Sequence, residues 1–185
     1  MGERRSRLLI GARGAVLEIG GGTGANLPHY RGVERVIVSE PDPFMRKRLH
    51  PKLQDARFPV ELSAAGAQAL PFPDASFDTV VSTLVLCTVP DQGAALDEIR
   101  RVLRPGGRLL FIEHVRSAGS AARWQDRLEP LWRRLLGGCH PNRETVAAIG
   151  EAGFEIDVFE SFYPPETLSA LMPYVQGSAT VRRAA

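Results

Sequence analysis

The chain has 185 residues, 44% of them hydrophobic, which allows one substantial core and leaves little room for a second. Its two cysteines are too few for a disulfide scaffold, so a reducing, cytoplasmic setting is expected, and no apolar run is long enough to span a membrane. A formal net charge of +2, without aromatic interleaving or a binding motif, argues against nucleic acid as a partner.

Residues 1–14 carry Arg4, Arg5, Arg7 and Arg13 and read as a basic, flexible leader. Residues 15–185 read as one domain in which short β-branched runs alternate with helix-length segments, the pattern of a parallel α/β sheet. The first strand is expected over 15–19 and the second over 33–39, with helices over 25–30 and 43–53. A third strand is expected over 58–63 and a fourth over 77–83. A helix over 91–103 follows, with Leu96, Ile99, Val102 and Leu103 at helical spacing, until Pro105-Gly106-Gly107 turns the chain into a fifth strand over 108–115. Beyond it, 124–136 reads as a helix interrupted at Pro130, and 142–151 as a helix capped by Asn142 and stopped by Gly153. The last two strands are expected over 154–162 and 179–183, adjacent and antiparallel.

The most informative segment is Val16-Leu17-Glu18-Ile19-Gly20-Gly21-Gly22-Thr23-Gly24. A buried strand runs into a turn where side chains would obstruct both the dihedrals and the approach of a ligand, at the carboxyl edge of the sheet. The second strand ends at Glu40, whose two oxygens can accept both hydroxyls of a ribose across that edge. The pair points to a ribosyl cofactor without choosing one. Gly20-x-Gly22-x-x-Ala25 also satisfies the dinucleotide fingerprint, so a nicotinamide-dependent oxidoreductase and a non-catalytic cofactor-binding domain stay open. Against nicotinamide stand the missing Tyr-x-x-x-Lys pair and Glu18, a carboxylate better placed beside a cation than beside a pyrophosphate.

Taken in order, Glu18-Ile19-Gly20-Gly21-Gly22-Thr23-Gly24, Glu40, Leu70-Pro71-Phe72-Pro73-Asp74-x-Ser76-Phe77-Asp78 and Leu103-Arg104-Pro105-Gly106-Gly107 resemble the class I S-adenosylmethionine-dependent methyltransferases. Thr83-Leu84-Val85-Leu86-Cys87-Thr88-Val89, Glu113-His114-Val115, Glu129-Pro130-x-Trp132 and Gly138-Cys139 narrow the resemblance to a group described as alkyl thiol methyltransferases. The resemblance implies a Rossmann-like, mostly parallel seven-stranded sheet with an antiparallel last strand, and S-adenosylmethionine as methyl donor with S-adenosylhomocysteine as product. It implies that Gly20, Gly22 and Gly24 bracket the methionine portion, that Glu18 lies near its ammonium, and that Glu40 holds the ribose. Asn26 and Pro41 belong to the same cofactor set, and Thr83, Leu84 and Val85 line the methionine side, Val85 towards the acceptor. The acid that relatives often place against adenine is Gly66 here, leaving the Ala67 backbone and Gln68 to meet the base. The membrane anchor of mammalian members is not expected.

Methyl transfer needs an in-line nucleophile held against the donor, and a thiolate acceptor needs no base. His114, after the fifth strand, can deprotonate or orient a small-molecule acceptor, or serve structurally. The segment of about 117–142 is the candidate acceptor pocket, with Trp124, Leu128 and Trp132 as apolar lining and Arg143 as a possible acid contact. Cys87 reads as a small buried residue, and Cys139-His140 lacks a second Cys/His cluster in the sequence, so no metal is expected.

Overall fold

Seven strands lie side by side in the order β3-β2-β1-β4-β5-β7-β6 in the computed structural model, which describes residues 1–135, 137–163 and 172–182. In chain order the elements are α1 (Gly2–Leu9), β1 (Gly14–Ile19), β2 (Val33–Ser39), α2 (Pro43–Leu49), β3 (Val60–Ser63), β4 (Phe77–Thr83) and α3 (Gln92–Val102). They continue with β5 (Leu103–His114), α4 (Gly119–Leu135), α5 (Thr145–Glu151), β6 (Phe154–Phe162) and β7 (Tyr174–Val181).

The central strand β1 pairs in parallel with β2 and β4, setting Leu17 beside Ile37 and Val80. Val16, Leu17 and Ile19 have no exposed surface, as expected of a strand covered on both faces. Strand order reverses between β1 and β4, and such a switch point opens a crevice at the carboxyl ends of the strands. β7 runs antiparallel to both β5 and β6, so the mostly parallel, Rossmann-like sheet with an antiparallel last strand is present. Helix α2 starts where the Asp42 carboxylate accepts from the amides of Phe44 and Met45, with Pro43 in its first turn. Asp91 caps α3 through the Ala94 amide, and the helix buries Ala95, Leu96, Ile99 and Val102 against the sheet.

Several expectations need correction. The leader is not flexible over its length: residues 2–9 form α1, because Leu8 and Leu9 pack into the same core cluster as Val16, Leu110 and Ile112. The helix expected over 25–30 is a short 3-10 turn at Leu27–His29 around Pro28. α2 gives way at His50 to a 3-10 segment with Pro51 in its first turn, and β3 starts at Val60, after Pro59. α4 runs through Pro130, an exposed residue on a turn whose residue four positions earlier, Asp126, is also exposed, so that water can serve the carbonyl that loses its helical donor; position 136, the expected end, lies outside the described residues. Asn142 does not cap α5. Its amide donates to Asp126 instead, and α5 begins at Thr145. β7 starts five residues earlier than expected because it pairs along both neighbours, and position 183 lies outside the described residues. Among the described residues no helix is long and apolar enough to cross a membrane.

Candidate active site

The turn after β1 places two glycines at φ +56° with different surroundings. A Cβ on Gly20 would lie 2.4 Å from Val85 Cγ2, so the residue must be glycine for the loop after β4 to pack there. A Cβ on Gly22 would meet nothing within 4 Å. It would project towards a cavity of about 490 Å³ lined by Gly20, Gly22, Glu40, Pro41, Asp42, Met45, Gly66, Ala67, Gln68, Leu84, Val85, Thr88, Val89, Pro90 and Gly137. That volume suits a nucleoside-sized ligand.

Glu40 stands across the turn at the end of β2. Its Oε2 accepts from the Gly22 amide at 2.7 Å and its Oε1 from the Asp42 amide at 2.9 Å. One charge-assisted bond to each oxygen fixes the carboxylate and leaves acceptor capacity on both, which a pair of ribose hydroxyls can use.

Beneath the turn lies a buried polar cluster. Glu18, on β1, accepts from the Tyr30 hydroxyl at 2.8 Å and from the Asn26 amide at 3.0 Å. Burial pushes its carboxyl up to about 7, opposed by those two bonds and by the nearby Arg5 charge. Asn26 also donates to Thr83 Oγ1 at 3.1 Å. Arg5, from α1, completes the cluster by donating to Asn26 Oδ1 at 2.6 Å and to Thr83 Oγ1 at 3.0 Å. Sequence reasoning missed Arg5, since four arginines near the start of the chain look solvated; the Leu8-Leu9 pair that anchors α1 was the available signal.

The far wall is shaped by Glu113, also missed in this role. Fully buried on β5, it accepts from Ser82 Oγ at 2.6 Å and from the amides of Val85 and Cys87 at 3.1 Å each. These bonds bend the chain at Leu84, a non-glycine residue at φ +63°, whose amide donates to the Ile112 carbonyl. Such strain persists only where the surroundings impose it, and here it aims Leu84 and Val85 into the cavity wall.

Of the expected site residues, Gly20, Gly22, Glu40, Pro41, Ala67, Gln68, Leu84 and Val85 line this cavity, and Glu18, Asn26 and Thr83 form the cluster beneath it. Others are placed elsewhere. Gly24 faces Leu49 and Leu27 and borders a separate cavity of about 300 Å³, because the turn has already swung away from the crevice. Trp124 is 53% exposed, with the Arg127 guanidinium 5.7 Å from its ring centroid. Leu128 is half-buried and Trp132 buried, but neither lines the cavity; the segment 117–142 contributes Gly137. Arg143 donates to the carbonyls of Leu86, Val89 and Pro90, so it braces the wall rather than facing an acid group. His114 does not face the cavity either: its Nδ1 points at the sulfurs of Cys139 and Cys87, and its ring leans on Tyr174 at 4.2 Å.

Residues 17–111 match a family model described as "Methyltransferase domain". The chain is similar to the human thiol S-methyltransferases TMT1B, at 41% identity over 92% of this chain and 73% of that protein, and TMT1A, at 37% identity over 89% and 70%. A geranyl diphosphate methyltransferase solved with S-adenosylmethionine shares the fold, with a TM-score of 0.80 at 15% identity, covering 97% of this chain and 84% of that one.

Proposed function

Because this chain belongs to the class I S-adenosylmethionine-dependent methyltransferases, we propose that it transfers the methyl group to the sulfur of a small, hydrophobic thiol. The observation that carries the cofactor side of this reading is Glu40, which lines the cavity and keeps acceptor capacity on both carboxylate oxygens while the Gly22 and Asp42 amides hold it. S-adenosylmethionine fits the residues present, since the open space beyond Gly22 is a cradle that any side chain would fill. A dinucleotide fits less well: its pyrophosphate is held at a helix N-terminus, and after this turn the chain makes only a 3-10 turn.

When bound, the cofactor supplies an electrophilic methyl on a sulfonium. Glu40 would hold the ribose hydroxyls, and the backbone at Ala67 with the Gln68 side chain would meet the adenine edge, Gly66 offering no carboxylate. Glu18, Asn26, Thr83 and Arg5, clustered beneath the turn, would support the amino-acid end, the Glu18 carboxylate favouring its ammonium and the Arg5 guanidinium its carboxylate. Leu84, Val85, Val89 and Pro90 form an apolar wall of the cavity, which would keep water from the sulfonium. An ordinary thiol is already partly ionised at neutral pH, so holding it in line supplies most of what the transfer requires. The two cysteines are free and buried, which supports a reducing, cytoplasmic setting. Human relatives named for thiol methylation support the acceptor class.

The test is incubation of the purified chain with S-adenosylmethionine and thiols, phenols and amines of graded hydrophobicity, with methylated product and S-adenosylhomocysteine read by mass spectrometry. Thioether formed in step with S-adenosylhomocysteine is the expected result. Turnover of phenols or amines with none of thiols would move the acceptor to another class.

A further inference from the structure

Three side chains without a part in the transfer reaction converge next to the cavity. Cys87 comes from the loop after β4, His114 ends β5 and Cys139 follows α4, so only the fold brings them together. Their sulfurs lie 3.7 Å apart, and His114 Nδ1 is 3.2 Å from Cys139 Sγ and 3.7 Å from Cys87 Sγ. All three are buried, and His114 Nε2 has no partner among the described residues. We propose that Cys87, Cys139 and His114 Nδ1 bind one thiophilic divalent metal ion of the zinc type.

The distances are those the chemistry asks for. Zinc–sulfur and zinc–nitrogen bonds of about 2.3 and 2.0 Å at tetrahedral angles put two sulfurs about 3.8 Å apart and sulfur from nitrogen about 3.5 Å. The cluster therefore closes on an ion with shifts of a few tenths of an ångström. Charge balances as well. The ion displaces one proton from each thiol and meets a neutral imidazole, so two protons leave for each divalent ion and the buried site carries no net charge. The ligands are positioned in advance: the Cys87 amide donates to Glu113 and the Cys87 carbonyl accepts from the His140 amide at 2.7 Å. With the ion on Nδ1, the proton of the imidazole resides on Nε2. Three protein ligands leave one tetrahedral position open. Thr88, which lines the cavity, has its Oγ1 3.6 Å from Cys87 Sγ, so a single side chain separates the metal site from the methyl-transfer cavity.

Both cysteines of the chain are in this cluster, so any metal–thiolate signal reports on it alone. The reduced full chain, stripped with chelator and with both thiols verified by titration, would be titrated with cadmium and then with zinc, in the absence of any methyl acceptor. The expected results are one ion per chain, an ultraviolet thiolate-to-cadmium charge-transfer band and two protons released per ion. Zinc should also protect both thiols from alkylation. His114→Ala should weaken binding by more than the roughly 10- to 100-fold that loss of an outer-shell partner costs. Should that variant not fold, proton release and thiol protection in the unmodified chain still decide the matter. No stoichiometric uptake by the reduced chain, uptake without the thiolate band, or unchanged affinity in folded His114→Ala would overturn the site. Because no acceptor is present, failure of methyl transfer and failure of metal binding are read separately.

Discussion

The Tyr30 hydroxyl donates to Glu18 Oε2 across 2.8 Å, inside a strand that is otherwise apolar. That carboxyl sits at about 7 rather than 4.5 because it is desolvated. The folded state therefore holds its proton more tightly than the unfolded chain does. Its stabilising contribution is complete below about 4.5 and is lost as the pH rises through about 7, on the order of 3 kcal/mol in all. Urea midpoints of the unliganded chain measured across that window should fall with pH more steeply than those of Glu18→Gln. Parallel curves for the two proteins would mean that Glu18 titrates as it does in the unfolded chain.

Glu40, proposed to hold the ribose hydroxyls, also satisfies two backbone amides. Bonds to a charged acceptor contribute about 1.5–3 kcal/mol each, so loss of even one in Glu40→Ala should weaken S-adenosylhomocysteine binding about tenfold to more than a hundredfold, and loss of both correspondingly more. Glu40→Gln, which keeps one acceptor oxygen, should lie between the two. Calorimetric titration gives both numbers, and equal affinity in Glu40→Ala would remove the residue from the cofactor site.

Gly20 and Gly22 share a dihedral and should still differ in what an added methyl does. Each alanine incurs the left-handed backbone cost of about 1–2 kcal/mol. Gly20→Ala also drives its Cβ against Val85, adding an overpacking cost of about 1–3 kcal/mol to folding. Gly22→Ala meets open space, so it should spare more of the stability and chiefly obstruct the ligand. Thermal melts with and without S-adenosylhomocysteine separate the two effects: Gly22→Ala should lose the ligand-induced rise in Tm. A Gly22→Ala variant that retains that rise would place the ligand elsewhere.

The sheet was legible because its signals are local. Val16-Leu17 before a run of glycines, and Val36-Ile37-Val38 before Glu40, name two strands and the crevice between their ends. The glycine spacing alone left a nicotinamide cofactor open, and what separates the two readings is the short 3-10 turn that replaces a helix after it. Arg5, Glu113 and the Cys87–His114–Cys139 group were illegible for a common reason. Each acts on residues more than twenty positions away in sequence, and no periodicity encodes such a meeting. Trp124 and Arg143 misled in the opposite sense, because residue type suggested a pocket while position on α4 and three carbonyls dictated otherwise.

Arg143 allows a sharp distinction between bracing and recognition. Its guanidinium donates at 2.7 Å to the carbonyls of both Leu86 and Val89 and at 3.3 Å to that of Pro90, and Val89 and Pro90 line the cavity. Arg143→Ala strips these carbonyls of a charged donor, at a cost of about 1.5–3 kcal/mol for each good bond, and lets the apolar wall relax. A wall acts on every acceptor alike. The ratio kcat/KM should therefore fall by the same factor for a neutral thiol and for its carboxylate-bearing analogue, alongside a lower Tm. Arg143→Lys should recover only part of each, since an ammonium does not reproduce the planar fork that spans the carbonyls. A loss confined to the carboxylate-bearing thiol, with Tm unchanged, would mean that the guanidinium reads the acceptor instead of holding the wall.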